Sequence, residues 1–449
     1  MAATFGSATY GTGLPRHAAP PRGRPRAKDW AISGAAVLIV LCELTLLGAN
    51  SGVLAAGAGL FDILALAAMS VLLTRRAGVL AALLPILILV LGAAGWGLIL
   101  QRFSVTPSET QLEVTKLLGV TSLLICGVLV GLRRARGRLF CGLLAAAGGV
   151  YTIGSFWLYE ADPFRVLGVV KVTHAWRFTG TLLNANVAGV VFGMICLVSL
   201  GWVQSLLGST RTPEARPVLV AAGGGAATIA LVACGFTGSR MAFAWVVILG
   251  ALLCLAHLFK SRAADAPRAA GRMAAIVPVA ALIVLAAGLG VGKILVRQES
   301  AADTFVGRID VLRRFTALAL QRPLTGWGLG AFDQVNQSTL STASAADMYD
   351  FGAAHSSLLQ AFLEGGAPYL ILLCTAGVIV VGGIAANWRL ISEGWSRGLA
   401  AAVALAAVCS LVDIDLNVPA VAATAGMMLG ILWGRSIDVN GRVSPRTTP

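Results

Sequence analysis

The sequence predicts an all-α, polytopic integral membrane protein with about twelve transmembrane helices. Of its 449 residues, 57% are hydrophobic and only 12% are charged, and the mean hydropathy is +0.83. Soluble chains carry roughly 25% charged residues, so this composition excludes a soluble enzyme, a coiled coil and a disordered protein. The apolar stretches reach the roughly 20 residues that a spanning helix needs, whereas an outer-membrane barrel uses alternating segments of about 10 residues.

We count twelve apolar runs of that length. They lie near residues 31–49, 52–73, 78–100, 114–132, 139–158, 180–205, 217–236, 240–259, 274–296, 357–386, 398–416 and 417–434. The ninth and tenth runs are separated by the longest connection, residues 297–356, and a medium connection covers 159–179. Long connections in compact folds are usually functional, so the candidate site is sought there.

The distribution of positive charge predicts the orientation. The formal net charge is +14, and every second connection carries a basic cluster, such as Arg133–Arg138. Cytoplasmic connections are enriched in Lys and Arg, so both termini are expected in the cytoplasm. The expected domains are a disordered basic tail (1–29), a transmembrane domain (30–435) and a second cytoplasmic tail (436–449). The eight cysteines lie inside apolar runs without metal-ligand or redox spacing, which favours buried packing.

Two arginines on the predicted outer side are candidates for binding an anion. Arg240 follows Thr237-Gly238-Ser239 at the outer end of the eighth run, where an arginine is less expected under the positive-inside bias; a snorkelling helix-end arginine is the alternative. Arg308 shares a helical face with Val311, Leu312, Phe315 and Leu318, away from Arg313 and Arg314. A charge on an apolar stripe needs a partner, either an anionic ligand or an acid such as Asp303 or Asp333.

His355 precedes two serines and the tenth run. Serine is a good N-cap, so His355 is expected at a helix N-terminus, whose dipole favours a neutral imidazole that can accept a proton. A purely structural, capping histidine is the alternative.

Other polar groups near the outer face could support a site. Arg177 precedes the sixth run, and Asn184 and Asn186 at its start could bind sugar hydroxyls or cap a broken helix. Intramembrane acids are costly unless they are paired or functional, and the candidates are Glu364, Asp413 and Asp415. Arginines and a neutral histidine without a metal-ligand cluster suit a reaction in which a diphosphate leaves and a hydroxyl attacks.

At this point the chain resembles the O-antigen ligase family over residues 177–370. The matching segments are Gly180–Asn186, Thr237–Arg240, Arg308 with Pro323–Phe332, and His355–Gln360 with Glu364–Gly366. The family usually has proline at the position of Ala185. Twelve spans with a long loop between the ninth and tenth also resemble the ligase architecture.

The resemblance implies an inverting, metal-independent glycosyltransferase without a cofactor, in a bacterial inner membrane with its active site facing the periplasm. Its donor would be a glycan linked to undecaprenyl diphosphate, and its acceptor a hydroxyl of lipid A core or of a polymer end. The resemblance implies that His355 is the catalytic base and that Arg240 and Arg308 bind the diphosphate. It also implies that Asp413 or Asp415 supports the site. The basic regions are explained by membrane topology, so no nucleic-acid partner is expected.

Two alternatives stay open at this point. A polymerase of the same superfamily would use the growing glycan as its acceptor. A twelve-helix transporter or flippase would instead show inverted repeats around a midplane site, whereas the charges here concentrate at one face.

Overall fold

The computed structural model describes residues 25–46, 48, 52–70, 77–172, 174–208, 215–262, 301–341, 349 and 352–443. Fourteen α-helices account for most of these residues: α1 (Ala27–Thr45), α2 (Gly52–Ser70), α3 (Ala77–Leu100), α4 (Pro107–Gly131), α5 (Arg134–Ala161), α6 (Ala185–Leu207), α7 (Arg216–Phe236), α8 (Arg240–Arg262), α9 (Ala301–Gln321), α10 (Phe332–Ser338), α11 (Ser357–Ala386), α12 (Trp388–Ile391), α13 (Gly394–Cys409) and α14 (Pro419–Val443). Two short 3-10 helices cover Gln101–Phe103 and Asp415–Asn417.

The predicted fold class is confirmed: the chain is an all-α, multi-pass membrane protein. In the part of the chain that is described, nine helices are long and apolar enough to cross a membrane, namely α2 to α8, α11 and α14. Two further predicted runs are also helical. Helix α13 has only 16 residues, and α1 includes Lys28, Asp29 and Glu43 among its 19 residues. The predicted run at 274–296 lies outside the described residues.

The two tails fall largely outside the description. Residues 1–24 and 444–449 are not described, while α1 begins at Ala27 and α14 extends to Val443. Helical structure therefore covers the last three residues of the stretch predicted as the first tail and continues beyond residue 435.

Ion pairs gather three connections predicted to be cytoplasmic at one end of the bundle. The buried carboxylate of Asp29 accepts hydrogen bonds from Arg133 and Arg136, each with an N–O distance of 2.9 Å. Arg134 donates to both carboxylate oxygens of Glu393, over 2.5 and 2.7 Å. These contacts tie the start of α1 to the α4–α5 turn, and that turn to the start of α13.

Close helix packing explains part of the glycine content. Helices α4 and α14 touch through backbone: a Cβ on Gly127 would lie 2.2 Å from the Met427 carbonyl oxygen, and one on Gly430 would lie 2.0 Å from that of Leu124. In lipid, no hydrophobic force drives helices together, so their association depends on close van der Waals packing. Small residues such as these glycines permit that close approach. Helix α6 is the central helix, with 89% of its most apolar window buried inside the protein.

The long connection contains an amphipathic helix, as its pattern predicted. In α9, Val311, Phe315 and Leu318 are buried, and the Phe315 ring packs 4.7 Å from the ring of Phe332 in α10. Arg313 is exposed as expected. Arg314 is not directed away from the fold: its guanidinium donates to the Asn336 carbonyl oxygen and to the Thr339 hydroxyl, because α10 folds back along α9.

The medium connection carries a ribbon that the sequence did not predict. Strands β1 (Arg165–Val166) and β2 (Val169–Val170) pair antiparallel, with Arg165 opposite Val170. The ribbon follows α5 directly and precedes the residues that bring Arg177 to the outer end of α6.

An interruption of α11 at a glycine allows backbone hydrogen bonds between α11 and the segment after α9. Gly366 has a φ of 70° inside α11, and Pro368 follows it. The helix opens there, so the carbonyl oxygens of Leu363 and Glu364 accept hydrogen bonds from the backbone N–H groups of Trp327 and Gly328, both at 2.9 Å.

Candidate active site

His355 and Asp413 meet at the end of the bundle opposite the Asp29 ion pairs. The Nδ1 of His355 lies 3.4 Å from the Oδ1 of Asp413, although 58 residues separate them in the chain. The Asp413 side chain is 10% exposed and the His355 side chain 27% exposed. If Nδ1 carries the proton toward the carboxylate, the Nε2 of His355 is left as a hydrogen-bond acceptor, because a neutral imidazole has one donor and one acceptor nitrogen.

The backbone at His355 is held in an uncommon conformation. Its φ is 52°, a left-handed value that non-glycine residues seldom adopt and that costs about 1–3 kcal/mol. Ser356 is the N-cap of α11, and its hydroxyl accepts a hydrogen bond from the Leu359 N–H. The serine cap predicted from the sequence is therefore present, and His355 lies immediately before it.

Asp413 is held from its other side by the start of α6. Its Oδ2 accepts a hydrogen bond of 2.9 Å from the side-chain amide of Asn186. The Oδ1 of Asn186 in turn accepts one of 3.1 Å from the Nη2 of Arg177. Asn184 acts as the N-cap of α6, since its Oδ1 accepts from the backbone N–H groups of Asn186 and Val187.

Arg177 fastens this group to the turn between α7 and α8. Its Nε and Nη2 donate to the carbonyl oxygen of Thr237, over 3.0 and 2.7 Å. The guanidinium is buried, with Arg177 6% exposed. Asn186, which accepts a hydrogen bond from this guanidinium and donates one to Asp413, stands between the guanidinium and the Asp413 carboxylate.

Two basic residues beside Arg177 were not selected from the sequence. The Nδ1 of His174 lies 2.8 Å from the Nη1 of Arg177, and because a guanidinium can only donate, this nitrogen is the acceptor. The ammonium group of Lys171 donates to the Arg177 carbonyl oxygen over 2.8 Å. Burial lowers the pKa of Lys171, with the charge of Asp162 opposing that shift. The only feature of the sequence that could have indicated Lys171 and His174 is the spacing of basic residues in the medium connection.

The structure brings some of the other sequence candidates near this group and keeps others apart. Arg240 is the first residue of α8, three residues after Thr237, and is half-buried. Asp415 is buried in the 3-10 helix that follows Asp413. The carboxylate of Glu364 has different partners, the Gly330 N–H at 3.0 Å and the Gln360 side chain at 3.1 Å.

Arg308 lies within α9, but its side chain, like that of Asp303, is outside the described residues. Whether it faces an anion or an acid therefore stays a prediction. Among the residues that are described, no group of three or more His, Cys, Asp or Glu side chains is arranged to hold a metal ion.

Chemically, this group can accept a proton on a histidine whose orientation is fixed by its neighbours. A carboxylate beside the Nδ1 of a histidine selects the tautomer whose Nε2 can take a proton and stabilises the imidazolium that forms. Arginine-bearing segments at the same end of the bundle suit an anionic substrate.

Comparison with known protein families identifies the region around this group. Residues 225–374 match the family model described as O-antigen ligase. This match covers about a third of the chain, 150 of its 449 residues. Comparison with curated proteins gives no significant match.

The O-antigen ligase match includes Arg240, Arg308, His355 and Glu364, and it supports a role in glycan transfer of the ligase and polymerase kind. Arg177 and Asp413 lie on either side of the matched range. Their contacts with the domain are thus a feature of the tertiary structure: Arg177 binds the Thr237 carbonyl oxygen, and Asp413 lies against His355.

Proposed function

We propose that this protein transfers a glycan from undecaprenyl diphosphate to an acceptor hydroxyl, such as one of lipid A core, on the periplasmic side of a bacterial inner membrane. The observation that carries the proposal is the contact of 3.4 Å between His355, which lies within the range that matches the O-antigen ligase model, and Asp413, which lies outside that range. The positive-inside distribution of Lys and Arg supports the orientation, with both termini in the cytoplasm.

In the proposed reaction, the Nε2 of His355 takes the proton of the acceptor hydroxyl. The hydroxyl oxygen forms a bond to the anomeric carbon as the bond from that carbon to the diphosphate oxygen breaks. The electron pair leaves with undecaprenyl diphosphate, and direct displacement inverts the configuration at the anomeric carbon. Asp413 keeps the ring oriented and stabilises the imidazolium through its carboxylate.

Arg240 and Arg308 are the proposed ligands of the diphosphate. A guanidinium stays charged and offers paired N–H donors that match phosphate oxygens, so it can stabilise the charge that develops on the leaving group. In the same proposal, Arg177 and Asn186 hold Asp413 in place rather than contact substrate, since their hydrogen bonds run to Thr237 and Asp413. Asn184 supports them by capping α6.

The base is tested with His355→Ala in purified protein. Removing a general base costs about 10²–10⁴-fold in rate, so transfer should fall by that factor while thermal unfolding stays near that of the wild type. Equal losses of activity and of folded protein would instead assign His355 a structural capping role.

Deletion of the protein in its host separates ligase from polymerase. Loss of a ligase should leave bare acceptor on gels while long glycans accumulate on undecaprenyl diphosphate, and this is the result we expect. An acceptor bearing a single repeat unit, without long carrier-bound chains, would instead identify a polymerase. That result would leave the roles of His355, Arg240 and Arg308 in place.

A further inference from the structure

A cavity of about 620 Å³ lies beside the segments that carry the His–Asp pair. Its wall includes Gly352 and Ala353, just before His355, and Ser357, just after the cap of α11. Ser410 and Ile414, on either side of Asp413, also line it. The segments that hold both members of the pair therefore form one wall of this cavity.

The cavity has a polar outer part and an apolar inner part. Glu109 and Asp333 line it near the outer ends of α4 and α10, while Val120 and Ala422 line it deeper. From Glu109 to Val120 the cavity follows α4 for about 16 Å, at 1.5 Å per residue. A ligand with a polar head and an apolar tail fits this division.

The described charged side chains in the outer part are mainly acidic. Glu109, Glu113 and Asp333 line the cavity, and Lys116 is the only cation among its described lining residues. Lys116 is already paired with Glu113 at 2.5 Å. Partial burial and the nearby charge of Glu109 raise the pKa of Asp333. A diphosphate would be repelled here, because like charges close together are destabilising.

The basic group around Arg177 is separate from this cavity. Asn186, in α6, donates a hydrogen bond to Asp413 and accepts one from Arg177, and neither Asn186 nor Arg177 lines the cavity. Arg177 is therefore not part of the cavity wall.

One wall residue of the cavity carries a polar atom without a partner. The Oγ of Ser357 is buried and has no hydrogen-bond partner among the described residues, and Ser357 lines the cavity two residues from His355. A buried hydroxyl without a partner is unfavourable unless a ligand or water satisfies it. Carboxylates and hydroxyls are the groups that bind sugar hydroxyls, and the aromatic side chain of Tyr369 also lines the cavity.

We propose that this cavity binds the acceptor, and that it selects an acceptor sugar that is uncharged or carries an amine over one that carries a phosphate. The inference rests on the proposed function, since it assigns the acceptor to the acidic cavity beside the His355–Asp413 pair and leaves the donor diphosphate to Arg240 and Arg308.

Sugar binding without any transfer step tests the proposal. Saturation-transfer difference NMR on the full-length protein in nanodiscs would use three probes: methyl β-D-glucopyranoside, the corresponding 2-amino glycoside, and glucose 1-phosphate. A saturation-transfer signal should appear for the neutral glycoside and the 2-amino glycoside but not for glucose 1-phosphate. Ser357→Ala should weaken binding of the neutral sugar about five-fold, as expected for one lost hydrogen bond.

A double variant, Glu109→Gln with Asp333→Asn, tests the selectivity. It should admit glucose 1-phosphate and weaken the amino sugar, which a purely structural role would not do. Glu160→Gln is the matched control, because Glu160 is exposed at the outer end of α5 and does not line the cavity. Thermal unfolding verifies that each variant is folded. If the double variant is not folded, the proposal is tested by Ser357→Ala alone.

Binding of glucose 1-phosphate to the wild type at the strength of the neutral sugar would overturn the proposal. So would the absence of binding by all three probes, or equal effects of Ser357→Ala and Glu160→Gln. Failure of the proposed function is distinguishable: sugar binding that persists in a protein unable to use undecaprenyl diphosphate would keep the sugar site and reject the transfer reaction.

Discussion

Replacing Asp413 by asparagine isolates the contribution of the carboxylate to the proposed base. The substitution keeps the size of the side chain and removes its charge, so the Nδ1 proton of His355 loses its ionised acceptor. A hydrogen bond to a charged group contributes about 1.5–3 kcal/mol, which corresponds to a rate factor of about 10 to 150. The distance of 3.4 Å is longer than the usual 2.7–3.2 Å, so we expect the lower end, a loss of about tenfold in kcat.

The assay is glycan transfer from a defined undecaprenyl diphosphate donor by purified protein, measured as a gel shift of the acceptor. Asp413→Asn is made both in the wild type and in His355→Ala. Because the carboxylate is proposed to act through the imidazole, it should cost about tenfold in the first background and nothing further in the second. Asp310→Asn is a matched control: Asp310 is on the outer face of α9 with its side chain 54% exposed.

Two results would refute this reasoning. A wild-type rate for Asp413→Asn would mean that the carboxylate does not assist His355. An equal loss in both backgrounds would mean that Asp413 acts through its other contact, the side-chain amide of Asn186.

The remaining predictions concern Arg308 as a ligand of the diphosphate, the membrane topology, and the segment after α9 that packs against α11. Arg308→Lys keeps the charge but loses the paired donors, so transfer should stay strongly impaired; full activity would remove Arg308 from the site. In a background without native cysteines, a cysteine at Val172, which is 93% exposed, should react with an impermeant thiol reagent in intact cells, and one at Leu390, 58% exposed, should not; the opposite pattern would invert the site. Gly326→Ala should lower the unfolding temperature in detergent, because its φ is 61° and a Cβ would lie 2.3 Å from the Glu364 carbonyl oxygen, with the left-handed conformation alone costing about 1–2 kcal/mol. Gly225→Ala, where a Cβ meets nothing within 4 Å, should unfold like the wild type.

Hydropathy and local pattern were sufficient for the architecture. A span must satisfy its backbone hydrogen bonds internally in lipid, so runs of about 20 apolar residues predict helices almost independently of their neighbours. The same local logic predicted the buried stripe of Val311, Phe315 and Leu318 and the cap formed by Ser356, since both depend on residues within a few positions of one another.

Contacts between distant segments were decided only by the tertiary structure. The sequence left Asp413 and Asp415 equivalent as support for the site, and the fold places the Oδ1 of Asp413 against His355, 58 residues away. The fold also brings Asn186 into hydrogen-bond contact with Asp413, 227 residues away. It places the Arg177 guanidinium where it donates to the carbonyl oxygen of Thr237.

The medium connection shows why such contacts escape a pattern-based prediction. Lys171 and His174 look like ordinary loop residues, yet both contact Arg177 in the folded protein. Spacing along the chain specifies which side chains share one helix face, whereas partners on different helices depend on how the helices pack. The amino-acid sequence alone therefore determined the membrane helices, their caps and the residue types available for chemistry, and the packing of α6, α7, α11 and α13 decided which of those residues meet.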